Sequence, residues 1–150
     1  MRVHLGSDHA GLELKTKIAA RLRELGHAPV DHGPQTFDPN DDYPPYCFAA
    51  ARAAVREPGS LGIVIGGSGN GEAIAANKVE GVRCVLAHSE ETARLGREHN
   101  DANVMSLGAR TIEESAALRF VELFVTTPFS GDERHARRIA LLADYERRPR

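Results

Sequence analysis

Leu61-Gly62-Ile63-Val64-Ile65-Gly66-Gly67-Ser68-Gly69-Asn70-Gly71-Glu72 is the stretch that decides the fold. An apolar run of strand length, Leu61 to Gly66, opens into a loop holding four glycines in six residues (66, 67, 69 and 71). A short helix is expected over Glu72 to Lys78. A strand with no polar alternation is buried on both faces, which is the condition of a parallel sheet covered by helices.

The pattern repeats outward. Val3 to Gly6 reads as a strand, and Leu12, Leu14, Ile18, Leu22 and Leu25 mark a helix face that Gly26 stops. His27 to Asp31 is a weaker strand. His32 to Pro45, rich in Pro, Asp and Asn, reads as a loop. Ala-rich Tyr46 to Arg56 is helical. Downstream come a strand over Val82 to Ala87, a helix over Ser89 to Glu98 and a strand over Val104 to Leu107. Thr111-Ile112-Glu113-Glu114 has capping-box spacing and opens a helix bearing Ile112, Ala116, Phe120 and Phe124. Asp132 caps a last helix reaching about Tyr145, and Arg147-Arg148-Pro149-Arg150 is expected to be a frayed end. The order βαβαβαβαβαα predicts an α/β domain with a five-stranded parallel sheet and helices on both faces.

At 150 residues the chain fits one domain with a substantial core. Basic and acidic side chains nearly balance, 19 against 21, so no basic excess points to nucleic acid or an anionic membrane. No apolar run reaches the roughly 18 residues of a spanning helix. Residues 1–6 read as a strand rather than a signal peptide. Cys47 and Cys84 form no C-x-x-C or metal pattern and suit buried thiols in a reducing cytoplasm.

Ligands of open parallel sheets bind beyond the carboxyl ends of the strands. Ser7-Asp8-His9, the glycine loop and Gly108-Ala109-Arg110 meet that criterion. The loop's backbone N–H groups and the helix end behind them suit an anion or a developing oxyanion. The loop matches neither nucleotide fingerprint: Glu72 stands where G-x-G-x-x-G needs glycine, and Glu72-Ala73 where a Walker loop needs Lys and Ser or Thr. Glu72 reads either as a first-turn acid favoured by the helix dipole or as a base beside an oxyanion site. Asp8 reads as a helix cap or as the partner of an imidazole. His99-Asn100-Asp101 reads as a solvated helix end or as site chemistry. Arg134 and Arg138 share a helix face that is either solvated or fitted to a phosphate. His99 ends a helix leading into the last strand, so it falls at the amino edge, opposite Ser68 and Asp8. If it serves the glycine-loop site, a second subunit supplies it. Besides a metal-free enzyme, a non-catalytic nucleotide- or phosphate-binding module and a metal-dependent enzyme are alternatives, although the seven histidines show no H-E-x-x-H or comparable spacing.

In order along the chain stand Gly6-Ser7-Asp8-His9-Ala10-Gly11, Gly67-Ser68-Gly69-Asn70-Gly71, Ala75-Ala76-Asn77-Lys78, His99-Asn100-Asp101-Ala102-Asn103-Val104, Leu107-Gly108-Ala109-Arg110, Arg134 and Arg138. The set resembles ribose-5-phosphate isomerase type B, in the family that includes the galactose-6-phosphate isomerase subunits. The resemblance covers essentially the whole chain. It implies a Rossmann-like three-layer sandwich, a homodimer or dimer of dimers with composite sites, and no cofactor or metal. It implies interconversion of D-ribose 5-phosphate and D-ribulose 5-phosphate through an enediolate, with a six-carbon sugar phosphate (galactose or allose 6-phosphate) as the alternative substrate. Many members carry a catalytic Cys directly after the strand, where this chain has Gly66. The sequence is similar instead to the subgroup using a Glu just past the loop. The resemblance thus implies Glu72 as base, and His99 assisted by Asp8 as the ring-opening pair. Ser68 and the N–H groups of Gly67, Gly69, Asn70 and Gly71 would hold the enediolate oxygen. Arg110, Arg134, Arg138 and His9 would bind phosphate, with Asn100 and Tyr43 lining the pocket.

Overall fold

A computed structural model describes residues 1–148. The strands are β1 (Arg2–Ser7), β2 (Ala28–Asp31), β3 (Leu61–Gly66), β4 (Cys84–Leu86) and β5 (Val104–Gly108). The helices are α1 (Leu12–Glu24), α2 (Tyr43–Arg56), α3 (Asn70–Ala76), α4 (Glu90–Asn100), α5 (Glu114–Thr126) and α6 (Glu133–Glu146), with a 3-10 turn at His9–Gly11. All strand pairs are parallel, in the order β2-β1-β3-β5-β4. Both expectations for the sheet hold. Every residue of β3 is buried, as is every residue of β5.

Successive side chains point to opposite faces, and the two faces differ in bulk. On one, Val3, Leu5, Ile63, Ile65, Met105 and Leu107 pack against Leu14, Ile18 and Leu22 of α1 and Phe120, Val121 and Phe124 of α5. On the other, Val64 and Val104 meet the alanines of α2 and α3. Here the sheet carries Gly6 and Gly62, and the Ala-rich α2 sits correspondingly close. A Cβ on Gly6 would fall 2.5 Å from the backbone oxygen of Tyr46.

Lys15 is 2 % exposed and donates to Asp31 Oδ1 and to the Pro34 carbonyl, both at 2.7 Å. Asp31 Oδ1 also accepts the Gly33 N–H, and the Gly33 carbonyl accepts the Ser7 N–H at 3.1 Å. The loop after β2 is thereby fixed to the carboxyl edge of the sheet.

Several boundaries differ from the sequence reading. α2 begins at Tyr43, not Tyr46: Pro44 and Pro45 fit a first turn, whose N–H groups have no intrahelical acceptor. Tyr43 is therefore helical rather than part of the loop. α3 starts two residues early, at Asn70, and β4 keeps only three of six expected residues. The Thr111 capping box does not form: Thr111 Oγ1 donates to the Gly108 carbonyl and α5 starts at Glu114. The capping box lies instead at Ser89 and Thr92, opening α4. Asp132 is the N-cap residue of α6 but makes no side-chain cap bond. Of the expected frayed end, Arg147 and Arg148 follow α6, while Pro149 and Arg150 lie outside the described residues.

Gly6→Ala should lower the unfolding free energy by about 1–3 kcal/mol, because the backbone of α2 must yield to the new methyl. Urea denaturation measures it, and an unchanged midpoint would contradict this packing account.

Candidate active site

Glu72 lies in the first turn of α3, and its carboxylate folds back over the end of β3. A Cβ built on Gly66 would lie 1.8 Å from Glu72 Oε1 and 2.0 Å from its carboxyl carbon. The carboxylate thus occupies the volume a side chain at 66 would need. Only glycine at 66 leaves that room.

Glu72 is 4 % exposed. Burial raises its pKa above the ordinary 4.5, and the charge of Asp8 adds to the rise. The backbone N–H groups of Glu72 and Gly69 oppose it. Gly69 is the N-cap of α3, at φ +80°, and makes no side-chain cap bond; Glu72 is the acidic residue of the first turn. The two readings of this residue therefore coexist: Glu72 is the first-turn acid of its helix and is also a buried carboxylate whose pKa burial raises.

The loop around it is well supported. Ser106 Oγ donates to the Gly69 carbonyl at 2.6 Å, and the Asn70 N–H donates to Ser68 Oγ at 3.3 Å. The N–H groups of Ala109 and Arg110 donate to the carbonyls of Gly66 and Gly67. These carbonyls are drawn toward β5, and the N–H groups of Gly67 and Ser68 have no protein acceptor among the described residues. Arg110 reaches the loop, its Nη1 3.6 Å from where a Gly67 Cβ would be. The phenol end of Tyr43 lies 2.6 Å from the corresponding point on Gly71.

Asp8 Oδ1 accepts the N–H groups of Ala10 (2.9 Å) and Gly11 (3.2 Å), so Asp8 caps the 3-10 turn. His9 is hydrogen-bonded to Asp41, a residue the sequence reading missed. Its only signal was a run of Asp and Asn in a segment read as loop. Asp8, His9 and Asp41 bring ligand atoms within 4.8 Å of one another. Nδ1 of His9 is bonded to Asp41 and Asp8 Oδ1 to two N–H groups, so His9 and Asp41 form a hydrogen-bonded pair beside the Asp8 cap.

The structure thus gathers Asp8, His9, Tyr43, Gly67, Ser68, Gly69, Asn70, Gly71, Glu72 and Arg110 at the carboxyl edge. His99, Asn100, Arg134 and Arg138 are not among them. They lie across the sheet at the amino edge, about 17 Å away by the length of β5 at ~3.3 Å per residue. Arg110 cannot share a phosphate with Arg134 and Arg138 of its own chain. His99 stacks on His135 of α6, with ring centroids 4.3 Å apart. His135 is buried against Ser130 Oγ (2.8 Å), and burial lowers its pKa.

Neither cysteine is a nucleophile here. Burial raises the Cys47 thiol, with the charge of Glu72 adding to it, and pushes Cys84 up to about 12.

A buried carboxylate beside unpaired backbone N–H groups, at the carboxyl edge of a parallel sheet, has the chemistry to move a proton next to a developing oxyanion. Residues 3–142 match the family model described as Ribose/Galactose Isomerase. The ribose-5-phosphate isomerase B of Mycolicibacterium paratuberculosis is 58 % identical over 147 residues, covering 98 % of this chain and 92 % of that one. Ribose-5-phosphate isomerase B of Mycoplasma genitalium, solved with bound ribulose-5-phosphate, superposes with a TM-score of 0.94 at 41 % identity, covering 99 % and 97 %. The Clostridium thermocellum enzyme gives 0.92 at 38 %, covering 97 % of each chain. The chain belongs to the ribose/galactose isomerase family.

Glu72→Gln tests the burial of this carboxylate without reference to turnover. A raised native pKa means that wild-type stability is lost as pH rises from 4.5 through the native value. The Gln variant lacks that loss. Its melting temperature relative to wild type should therefore increase between pH 4.5 and pH 8; a decrease would contradict the raised pKa.

Proposed function

We propose that this chain interconverts D-ribose 5-phosphate and D-ribulose 5-phosphate through an enediolate, at composite sites between two copies of itself. The observation that carries the reading is the Glu72 carboxylate seated over Gly66 beside the glycine loop. The names of the relatives, and the ribulose-5-phosphate bound in the Mycoplasma genitalium structure, give the substrate.

Glu72 takes the proton from C2 of the opened aldose and returns it at C1. The N–H groups of residues 67–71, with Ser68, stabilise the oxygen that becomes negative. One such donor is typically worth roughly 100- to 1000-fold in turnover. Arg110 and His9 bind the phosphate from one chain, and Arg134 and Arg138 from the other. His99 of the second chain, with Asp8 of the first, opens the furanose ring, and Asn100 and Tyr43 line the sugar. The Asp8 oxygen not used in capping is the one available to the ring-opening step.

The second copy is supported by what one chain leaves open. Only His135 of α6 is buried, while Leu141, Leu142 and Tyr145 are 62 %, 59 % and 73 % exposed. A cavity of about 880 Å³ runs between these turns of α6 and the edge strand β4, bordered by Asn77, Arg83 and Asn100. An exposed apolar helix face beside an unpaired strand edge is a surface that favours association. A second copy also brings His99 and the two arginines to a glycine loop. Among the described residues no helix is long and apolar enough to cross a membrane.

The pure protein should isomerise ribose 5-phosphate faster than galactose or allose 6-phosphate. Glu72→Gln and His99→Ala homodimers should each be nearly inactive. Their mixture, after subunit exchange, should recover up to about a quarter of wild-type turnover. This is the statistical yield when half of the dimers are mixed and each holds one intact site. Recovery absent after proven exchange would contradict the shared site.

A further inference from the structure

One side chain fixes His9 twice. Asp41 Oδ1 accepts the His9 backbone N–H at 3.0 Å and lies 2.6 Å from Nδ1. An ionised carboxylate only accepts, so the proton of that bond sits on Nδ1, and Nε2 is the nitrogen left to act elsewhere. The Asp41 side chain is 5 % exposed, and its other oxygen, Oδ2, is buried with no partner among the described residues. A buried carboxylate with an unpaired oxygen is unfavourable for folding. Stability alone therefore does not account for Asp41.

The surroundings hold this pair still. Asp41 N–H donates to the Asp38 carbonyl at 3.2 Å, and Asn40 N–H to Asp38 Oδ1 at 2.9 Å. The start of the same loop is tied down by Lys15 and by the Ser7 N–H. Phe37, 65 % exposed, meets the His9 ring edge-on, with centroids 6.0 Å apart.

We infer that Asp41 is a positioning residue for substrate binding, holding the His9 ring in its Nδ1–H form so that Nε2 serves the phosphate of the sugar phosphate. The inference rests on the reading of His9 as a phosphate ligand given under Proposed function. With Nδ1–H held by Asp41, a proton on Nε2 makes the ring a charged donor to a phosphate dianion. Because the ring is locked before the ligand arrives, little side-chain freedom is lost on binding. The role parallels that of a carboxylate that orients a histidine in a catalytic triad, applied here to binding.

The test is a cycle of Asp41→Ala, His9→Ala and the double variant, with Asp41→Asn as the conservative control. KM and kcat for ribose 5-phosphate are measured, together with the dissociation constant of inorganic phosphate by calorimetry. His9→Ala should raise KM and the phosphate constant by about tenfold. Asp41→Ala should raise both by a similar factor, with kcat within about threefold of wild type. The double variant should be no worse than His9→Ala alone. Asp41→Asn, which keeps an oxygen acceptor for both His9 groups, should recover most of the loss. Effects that multiply in the double variant would overturn the inference, as would a normal KM and phosphate affinity in Asp41→Ala when His9→Ala impairs both. If His9→Ala itself binds phosphate normally, the phosphate role of His9 falls and that of Asp41 with it. The phosphate titration reads the pair even if the preferred sugar is a different one, so failure of the substrate assignment is distinguishable.

Discussion

Two groups compete for one small volume at the end of β3, and glycine yields it to a carboxylate. The Glu72 carboxyl lies where any side chain at 66 would stand, so Gly66 is a steric requirement for seating the carboxylate proposed as the base. A cysteine at 66 would enter the volume that the Glu72 carboxylate fills. The chain can therefore place a thiol or a carboxylate at this point, but not both without rearrangement. The two cysteines it does possess are held protonated by burial.

The parallel sheet imposes the second constraint. Every strand ends at the edge holding Glu72, and α4 runs back to the other edge before delivering His99. No rotamer change spans the length of β5, five residues or about 17 Å. Chemistry needing both groups therefore requires two chains, and the exposed face of α6 offers apolar surface to a second one. In this account assembly and catalysis share one cause, the direction of the strands.

The fold was legible because β3 and β5 are buried at every position, so β3 spells an unbroken apolar run and β5 one interrupted only by Ser106. The edge strands were less so: β4 loses half its expected length because half-exposed residues carry a weaker signal. Local helix chemistry misled in two places. Thr111 spends its hydroxyl on the Gly108 carbonyl rather than on a cap, and the prolines after Tyr43 were read as loop although a first turn accepts them. The placement of His99 at the sheet edge opposite Ser68 and Asp8 followed from topology and needed no side-chain detail. Asp41 was illegible because only the folded loop shows that one acid among several lies against His9, and the seating of Glu72 over Gly66 is likewise a matter of angstroms that spacing does not encode.

The central claim is that Glu72 acts directly on the reacting carbons. A structure of the protein with ribulose 5-phosphate or an enediolate mimic bound tests it most directly. The account predicts C1 and C2 within about 3.5 Å of the Glu72 carboxylate, with the adjoining oxygen on the N–H groups of the glycine loop. A ligand whose C1 and C2 lie beyond reach of that carboxylate, or one seated at the amino edge of the sheet, would contradict it.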